Sequence, residues 1–369
     1  MIRLGLRNLI QSPTRLVISV GGVALALMLV LSLDAVFLGM ERQLGAYIEG
    51  SGADLFVAQS GVRNMHMASS SLAPGMADEI AVIDGVAEAT PLAYVSAAVL
   101  SGDEQYLAYI IGLPAEAGLG RPDRVISGTL TPGPGETVID GPVARAGVGV
   151  GDEVIILGRT FRVVGVSDAY GSVFNSFAFV SLDAFRAYGS DAISYVLVRA
   201  EPGVPLAALA ARIEGVVPDV SATVRSDFAR EEIKVINDMA TDVVVIMNVI
   251  GFVIGLAVMA LTVYTATVAR RAEFGVLKAL GARTSRLYRT VIAGAVVTVV
   301  LGLAVGVGFT LVIAAVIPRT GIQLSLVLDA GSVAKAAGFA LAITALAAVL
   351  PILRIARIDP AIVFRRRIG

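Results

Sequence analysis

Four stretches of this chain carry no charged residue at all: 16–33, 243–269, 290–318 and 336–353, of 18, 27, 29 and 18 residues. About 20 apolar residues cross the ~30 Å of bilayer hydrocarbon, so each stretch predicts a transmembrane helix, the first and last narrowly. The apolar pattern outlasts the first stretch. Val36, Phe37, Met40, Leu44, Tyr47 and Ile48 keep a helical stripe as far as Gly50. The second stretch has a similar prelude. Ser226 suits an N-cap, Asp227, Glu231 and Glu232 suit the positive end of a helix dipole, and no proline follows before Ala269. A helix over 227–269 would be about 65 Å long, roughly twice the hydrocarbon thickness. Two long helices thus bracket the region between them as a stalk.

The first stretch could instead be read as a signal peptide with Arg3, Arg7 and Arg15 as its basic region. Its apolar run exceeds the usual ~7–15 residues, and Asp34-Ala35-Val36-Phe37 is a poor cleavage site, so an uncleaved helix is expected.

Between the first two spans the period changes. Short helices are predicted over 77–82, 142–146, 182–188 and 206–216, and strands over 90–100, 106–112, 136–140 and 194–199. Apolar runs at 153–157 and 161–166, separated by Gly158-Arg159-Thr160, predict a hairpin. The fold class is therefore a membrane protein with four transmembrane α-helices (1+3). A large α+β extracytoplasmic domain, antiparallel in its pairing, lies between the first and second helices. A hydrophobic content of 56% with 16% charged residues suits that class better than a soluble protein of this length.

Charge orients the spans. Residues 1–15 hold three arginines and no acid, 270–289 hold six basic residues against Glu273, and 354–369 hold five arginines against Asp359. The positive-inside rule puts these three segments and both termini in the cytoplasm, and the loop 319–335 outside. Residues 41–242 hold 26 acids and 13 basic residues, so the chain's net charge of −1 hides a basic inside and an acidic outside.

Several chemistries are excluded. The chain has no cysteine, hence no disulfide and no thiolate. It has no G-x-x-x-x-G-K-[ST] loop to cradle a nucleotide's phosphates. Its spans lack the ionisable residues of an ion-coupled carrier. Asn248 is the most polar residue of the second span and is expected to make an interhelical hydrogen bond. Gly251/Gly255 and Gly302/Gly306 form small-xxx-small pairs that predict close helix packing. Asn64-Met65-His66-Met67, with Met76, groups soft ligands of the kind that bind Cu(I), but in a Ser-rich setting it reads as a flexible, adaptable surface. Phe174, Phe177 and Phe179 read as strand core. No catalytic residue and no metal site is expected.

The segment 270–289, RRAEFGVLKALGARTSRLYR, is the most specific feature. Ala272, Val276, Leu277 and Leu280 recur at helical spacing among basic residues. The run EFGVLKALGA resembles the E-x-G-x-L-[KR]-A-x-G-A stretch of the FtsX-like, MacB-type permeases. These are the membrane subunits of the ABC transporter group that includes macrolide exporters and lipoprotein-releasing complexes. GVGVGDEVIILGRTFRVVGV resembles part of that family's extracytoplasmic domain. The amphipathic start RLGLRNLIQSPTRL and the end LPILRIARIDPAIVFRRR, with Pro351, Asp359, Pro360, Phe364 and Arg365, resemble its termini.

The resemblance implies an ATPase-coupling segment of Glu273, Phe274, Gly275, Leu277, Lys278, Ala279, Gly281 and Ala282, with Gly281 just past the helix end. It implies two copies of a separate cytoplasmic ABC ATPase, which bind the ATP and Mg, so this chain needs no cofactor of its own. It implies a permease homodimer in the cell inner membrane, in contact with lipids. A periplasmic adaptor or outer protein partner is compatible with it, and no nucleic acid is expected. The expected organisation runs from a cytoplasmic amphipathic segment (1–15) and helix 1 (16–38) to the extracytoplasmic domain with its stalk (39–225). Stalk and helix 2 (226–269), the coupling segment (270–289), helix 3 (290–318), the outer loop (319–335), helix 4 (336–353) and a basic tail (354–369) follow. The function so implied is ATP-driven movement of the outer domain, exporting or extracting a lipoprotein, peptide or amphipathic molecule. The alternative is a signalling scaffold that activates a cell-wall hydrolase or other outer partner.

Overall fold

The computed structural model describes residues 13–168, 170, 176–187, 191–280, 282–317 and 326–356. In chain order the elements are α1 (Pro13–Gly50), β1 (Leu55–Gln59), α2 (Met76–Ala81), β2 (Val86–Ser101), β3 (Glu104–Leu113), β4 (Val125–Gly128) and β5 (Glu136–Asp140). Then come α3 (Gly141–Arg145), β6 (Glu153–Ile156), β7 (Arg159–Ser167), β8 (Ser176–Ser181), α4 (Leu182–Arg186), β9 (Tyr195–Ala200), α5 (Leu206–Val216) and β10 (Val220–Val224). The chain closes with α6 (Arg225–Ala269), α7 (Arg271–Ala279), α8 (Thr284–Val316) and α9 (Ala330–Ala356). They sort into a helical unit (1–38, 241–316 and 326–369) and a sheet unit (39–240 and 317–325).

The sheet unit is organised by β2, a strand long enough to serve two partners in succession. Val86–Leu92 pairs antiparallel with β9, and Ala93–Ser101 pairs antiparallel with β3. On one side this gives the row β10-β1-β9-β2, on the other β2-β3-β8-β5-β7-β4. β6 pairs with β7 and also with β2, through Val99↔Ile156 and Leu100↔Ile155. The strands β2, β3, β8, β5, β7 and β6 therefore close into a ring, which removes the edges of those strands. Alternate residues divide between two cores. Ala108, Ile110, Ile139, Val154, Ile156, Ala178 and Val180 belong to one, and Tyr109, Ile111, Val138, Phe177 and Phe179 to the other.

That second core receives one end of each long helix. Tyr47 of α1 stacks on Phe177 with centroids 5.3 Å apart, and its hydroxyl donates to the Gly120 carbonyl at 3.1 Å. Phe228 of α6 stacks on Phe56 at 4.8 Å. Burial, with the negative charge of Glu232 added, pushes the Tyr94 and Tyr195 phenols well above their ordinary range, so both stay protonated.

Several expectations are corrected. Strands β1, β4 and β10 have no counterpart in the periodicity reading. Two pairings, β3–β8 and β5–β7, are parallel where only antiparallel pairing was expected. The hairpin turns on Leu157 and Gly158, both at positive φ (51° and 75°), while Arg159 and Thr160 lie in β7. Two central residues at positive φ match the twist of the flanking strands better than a three-residue loop does. Helix α6 begins at Arg225, so Ser226 lies inside it rather than capping it. Helix α4 ends at Arg186. Residues 1–12 and 357–369, which hold both terminal stretches of the family resemblance apart from the segments 13–16 and 350–356, lie outside the described residues, as does Phe174.

Among the described residues, four helices are long and apolar enough to cross a membrane. Both glycine pairs meet α1. A Cβ on Gly251 would sit 2.9 Å from the Val30 side chain, and one on Gly255 3.2 Å from that of Ala26 and 2.9 Å from Ile343 of α9. A Cβ on Gly302 would sit 2.7 Å from Val23, and one on Gly306 3.0 Å from the Ala24 carbonyl. Each lies inside normal contact, so α6 and α8 approach α1 this closely only as glycine. Val23, Leu27, Met259, Val299 and Ile343 fill the space between them. Hydroxyls within the spans bond back one turn, as Thr298 does to the Gly294 carbonyl and Thr344 to that of Ala340. Lys335 of α9 pairs with the nearly buried Asp34 of α1 at 3.0 Å, and the amide of Val327 donates to the Ala35 carbonyl. The hydrogen bond expected of Asn248 is not made by its side-chain oxygen, which is buried without a partner among the described residues.

Candidate functional site

Helix α7 fills the short link between α6 and α8. Nine residues are too few to hold a helix in water unaided, so its stability must come from packing. That packing is supplied by Phe274, 7% exposed, which sits with Leu287, Tyr288 and Val291 of α8. Gly275 is also buried. The amide of Phe274 donates to the Arg270 carbonyl at 3.0 Å and so closes the first turn. At the other end the amide of Ala282 reaches back five residues to the Leu277 carbonyl at 2.9 Å, the bond of a Schellman end. Gly281, expected just past this end, lies outside the described residues.

The opposite face of α7 is uncovered. Glu273, Val276, Leu277 and Leu280 lie on it at spacings of three and four, and Leu280 is 79% exposed. Ala279 is exposed, while Lys278 and Ala282 are half-buried. Glu273 stands in the first turn and Lys278 in the last, the arrangement the helix dipole favours. The apolar stripe legible in the sequence is thus the outward face. The residue that anchors the helix is Phe274, off that stripe. Helix α7 is thus short, seated through Phe274, and carries an apolar outer face between an acid and a base.

The Met-His segment is surface only in part: Met67 is 65% exposed, but its two predecessors are not. The Met65 side chain is buried in the second core of the sheet unit. His66 pairs through Nδ1 with Glu232 of α6, whose carboxylate is 1% exposed and also accepts the amides of Met65, at 2.5 Å, and of His66, at 3.3 Å. Sequence reasoning placed Glu232 at a helix start and gave it to the dipole. Nothing local marks it as a buried acceptor.

Comparison with known proteins agrees with this organisation. The MacB-like periplasmic core domain model matches residues 16–216, and the FtsX-like permease C-terminal model matches 245–360. Two ABC transporter permeases of Mycobacterium tuberculosis, both uncharacterized, are 26% identical over 369 residues and 24% identical over 373, each alignment covering 99% of both chains. Among solved structures, the periplasmic region of MacB from Actinobacillus actinomycetemcomitans matches with 18% identity and a TM-score of 0.38, covering 50% of this chain and 94% of that one. The extracellular domain of the noncanonic ABC-type transporter YknZ from Gram-positive bacteria matches with 16% identity and a TM-score of 0.37, covering 46% and 98%. With a family model matched over more than half its length and a second over its remaining helices, the chain belongs to the MacB/FtsX-type permeases of ABC transporters.

Proposed function

We propose that this chain couples ATP hydrolysis by a separate cytoplasmic ATPase to movement of its sheet unit outside the membrane. The family and the four apolar helices suggest a multi-pass protein of the inner membrane, and the family implies a cytoplasmic ATPase partner. The observation that carries the reading is α7. Its Val276, Leu277 and Leu280 face is exposed while Phe274 fastens it to α8. A partner that grips this face pulls on α8 directly, and on α6 through the Arg270 junction.

In this reading both termini are cytoplasmic, and two copies of the chain assemble over two ATPase subunits. Those subunits bind ATP and Mg. Glu273, Phe274, Gly275, Leu277, Lys278, Ala279, Gly281 and Ala282 form the contact, and the load moved outside is a lipoprotein, peptide or amphipathic molecule. The large insertion between α1 and α6, with one end of each of these helices rooted in its core by Tyr47 and Phe228, supports a role for that unit as the moving part.

The test is reconstitution. The purified chain alone is expected to hydrolyse no ATP, since it has no phosphate loop. With its ATPase, hydrolysis should appear and a lipid-anchored or amphipathic cargo should leave the outer leaflet. Robust hydrolysis by the contaminant-free chain would sink the assignment. Hydrolysis that alters only a bound partner's activity, with no cargo moved, would replace transport by signalling.

A further inference from the structure

Residues 61–71 follow β1 without helix or strand, yet they are not loosely laid. At their ends Gln59 bonds Ser70 and Ser71, and Leu72 bridges Ile193. In the middle Val62 and Met65 are buried in the second core, and one side chain from far along the chain binds the backbone. The Glu232 carboxylate collects the amides of Met65 and His66 and the His66 ring. The ring lies edge-on to Tyr109 at 4.6 Å, and the Tyr195 hydroxyl donates to the Asn64 carbonyl at 3.3 Å. Glu232 sits seven residues into α6, a helix that runs unbroken to Ala269.

Three N–H donors converging on one buried carboxylate form a contact that depends steeply on position. Sliding α6 along its axis by the rise of two residues would carry Glu232 about 3 Å. With the segment left in place, a contact lying across the axis would stretch from 2.5 Å at the Met65 amide to about 3.9 Å, beyond hydrogen-bond reach. Leaving the carboxylate buried without its donors is costly, so the segment and the helix must move together or part.

We propose that residues 61–71 are a strap clasped on Glu232, closed at the axial position of α6 seen here and released when α6 is displaced along its axis. The strap converts a small slide of α6 into the freeing of an eleven-residue segment over Tyr94, Tyr109 and Tyr195. As the cause of the slide, the proposal rests on the coupling reading above; as a contact, it stands alone. Glu232 acts here as a positioning residue and touches no cargo.

The test is hydrogen–deuterium exchange on the full chain in lipid nanodiscs. Glu232→Gln keeps one acceptor oxygen but sets an NH2 group against either the Met65 amide or the two His66 donors. His66→Ala removes only a ring at the margin of the core and serves if the first variant does not fold. In Glu232→Gln, exchange over 61–71 should rise at least about tenfold, with β3 unchanged, and in His66→Ala it should rise less. Unaltered protection of 61–71 in both variants overturns the strap. In the wild-type chain assembled with its ATPase, ATP should raise exchange over 61–71. Stimulated hydrolysis without that rise overturns the link to α6 movement. If the chain stimulates no ATPase, the coupling reading falls, and the variants still decide the strap.

Discussion

Phe274→Ala is the sharpest probe of how α7 is held. The ring is 7% exposed, so truncation removes nearly all of its burial against Leu287, Tyr288 and Val291. Fully burying such a side chain contributes about 1.5–3 kcal/mol. Nine residues have little helical stability of their own, so the loss falls almost entirely on the docking of α7. Taking about 2–3 kcal/mol, the undocked fraction should grow about 30- to 150-fold. The cores of the sheet unit contain no residue of α7, so their stability should not change. Hydrogen exchange on the chain without any partner reads this directly. Amides of 274–280 should lose protection by that factor while those of β2 and β3 keep theirs. Phe274→Leu, which retains most of the contact, should recover most of the protection. Leu280→Ser should leave exchange unchanged, because its side chain is already in solvent, yet weaken co-purification with the ATPase. Unchanged exchange over α7 in Phe274→Ala would refute the anchor and, with it, the reason for expecting this helix to transmit force.

Other outcomes test the neighbouring claims. Glu273→Lys should reverse the charge at the helix start and weaken ATPase binding or uncouple hydrolysis, as should the bulky Gly275→Leu. If both variants assemble and stimulate hydrolysis normally, α7 is not the transmission element. Gly302→Leu forces a side chain into the 2.7 Å gap before Val23 and should cost about 1–3 kcal/mol of bundle stability, partly regained with Val23→Ala. A melting temperature unchanged by the glycine variant would show that α8 does not depend on this approach to α1. Cysteines at Ser69 and Ser127 should react with impermeant thiol reagents on intact cells, and one at Ser285 should not. Labelling of Ser285 from outside would invert the orientation.

Much of the helical unit was legible because the properties that specify it are local. A charge-free run reports its own ability to cross hydrocarbon, and glycines four apart report a groove, whatever the partner. The motif from Glu273 to Ala282 was legible for the same reason, since its residues lie within three helical turns. Even there the periodicity showed a stripe without showing which way it faced. The Val276, Leu277 and Leu280 face points away from the chain, because Phe274 occupies the contact with α8.

The sheet unit shows where local information ends. Strands β1 and β10 are short, five-residue runs that acquire their role only through distant partners, pairing with each other across more than 150 residues while β1 also pairs with β9. Pairing of β2 with β9 and then β3, and closure of the ring through β6, are choices among partners that strand propensity cannot make. The Leu157-Gly158 turn follows from the twist of the two strands it joins, against the ordinary preference of leucine for negative φ. Glu232 is the extreme case. By itself an acid near the start of a helix is a favourable charge at the dipole's positive end. It becomes a buried acceptor only because the fold brings the amides of Met65 and His66, 166 and more residues earlier, to within hydrogen-bond reach. The sequence by itself determined the long apolar helices, the division of charge and the family motif at 273–282, each fixed by neighbours within a few turns. Only the tertiary structure decided which face of α7 is free and which donors surround Glu232, because those depend on atoms that the chain order keeps far apart.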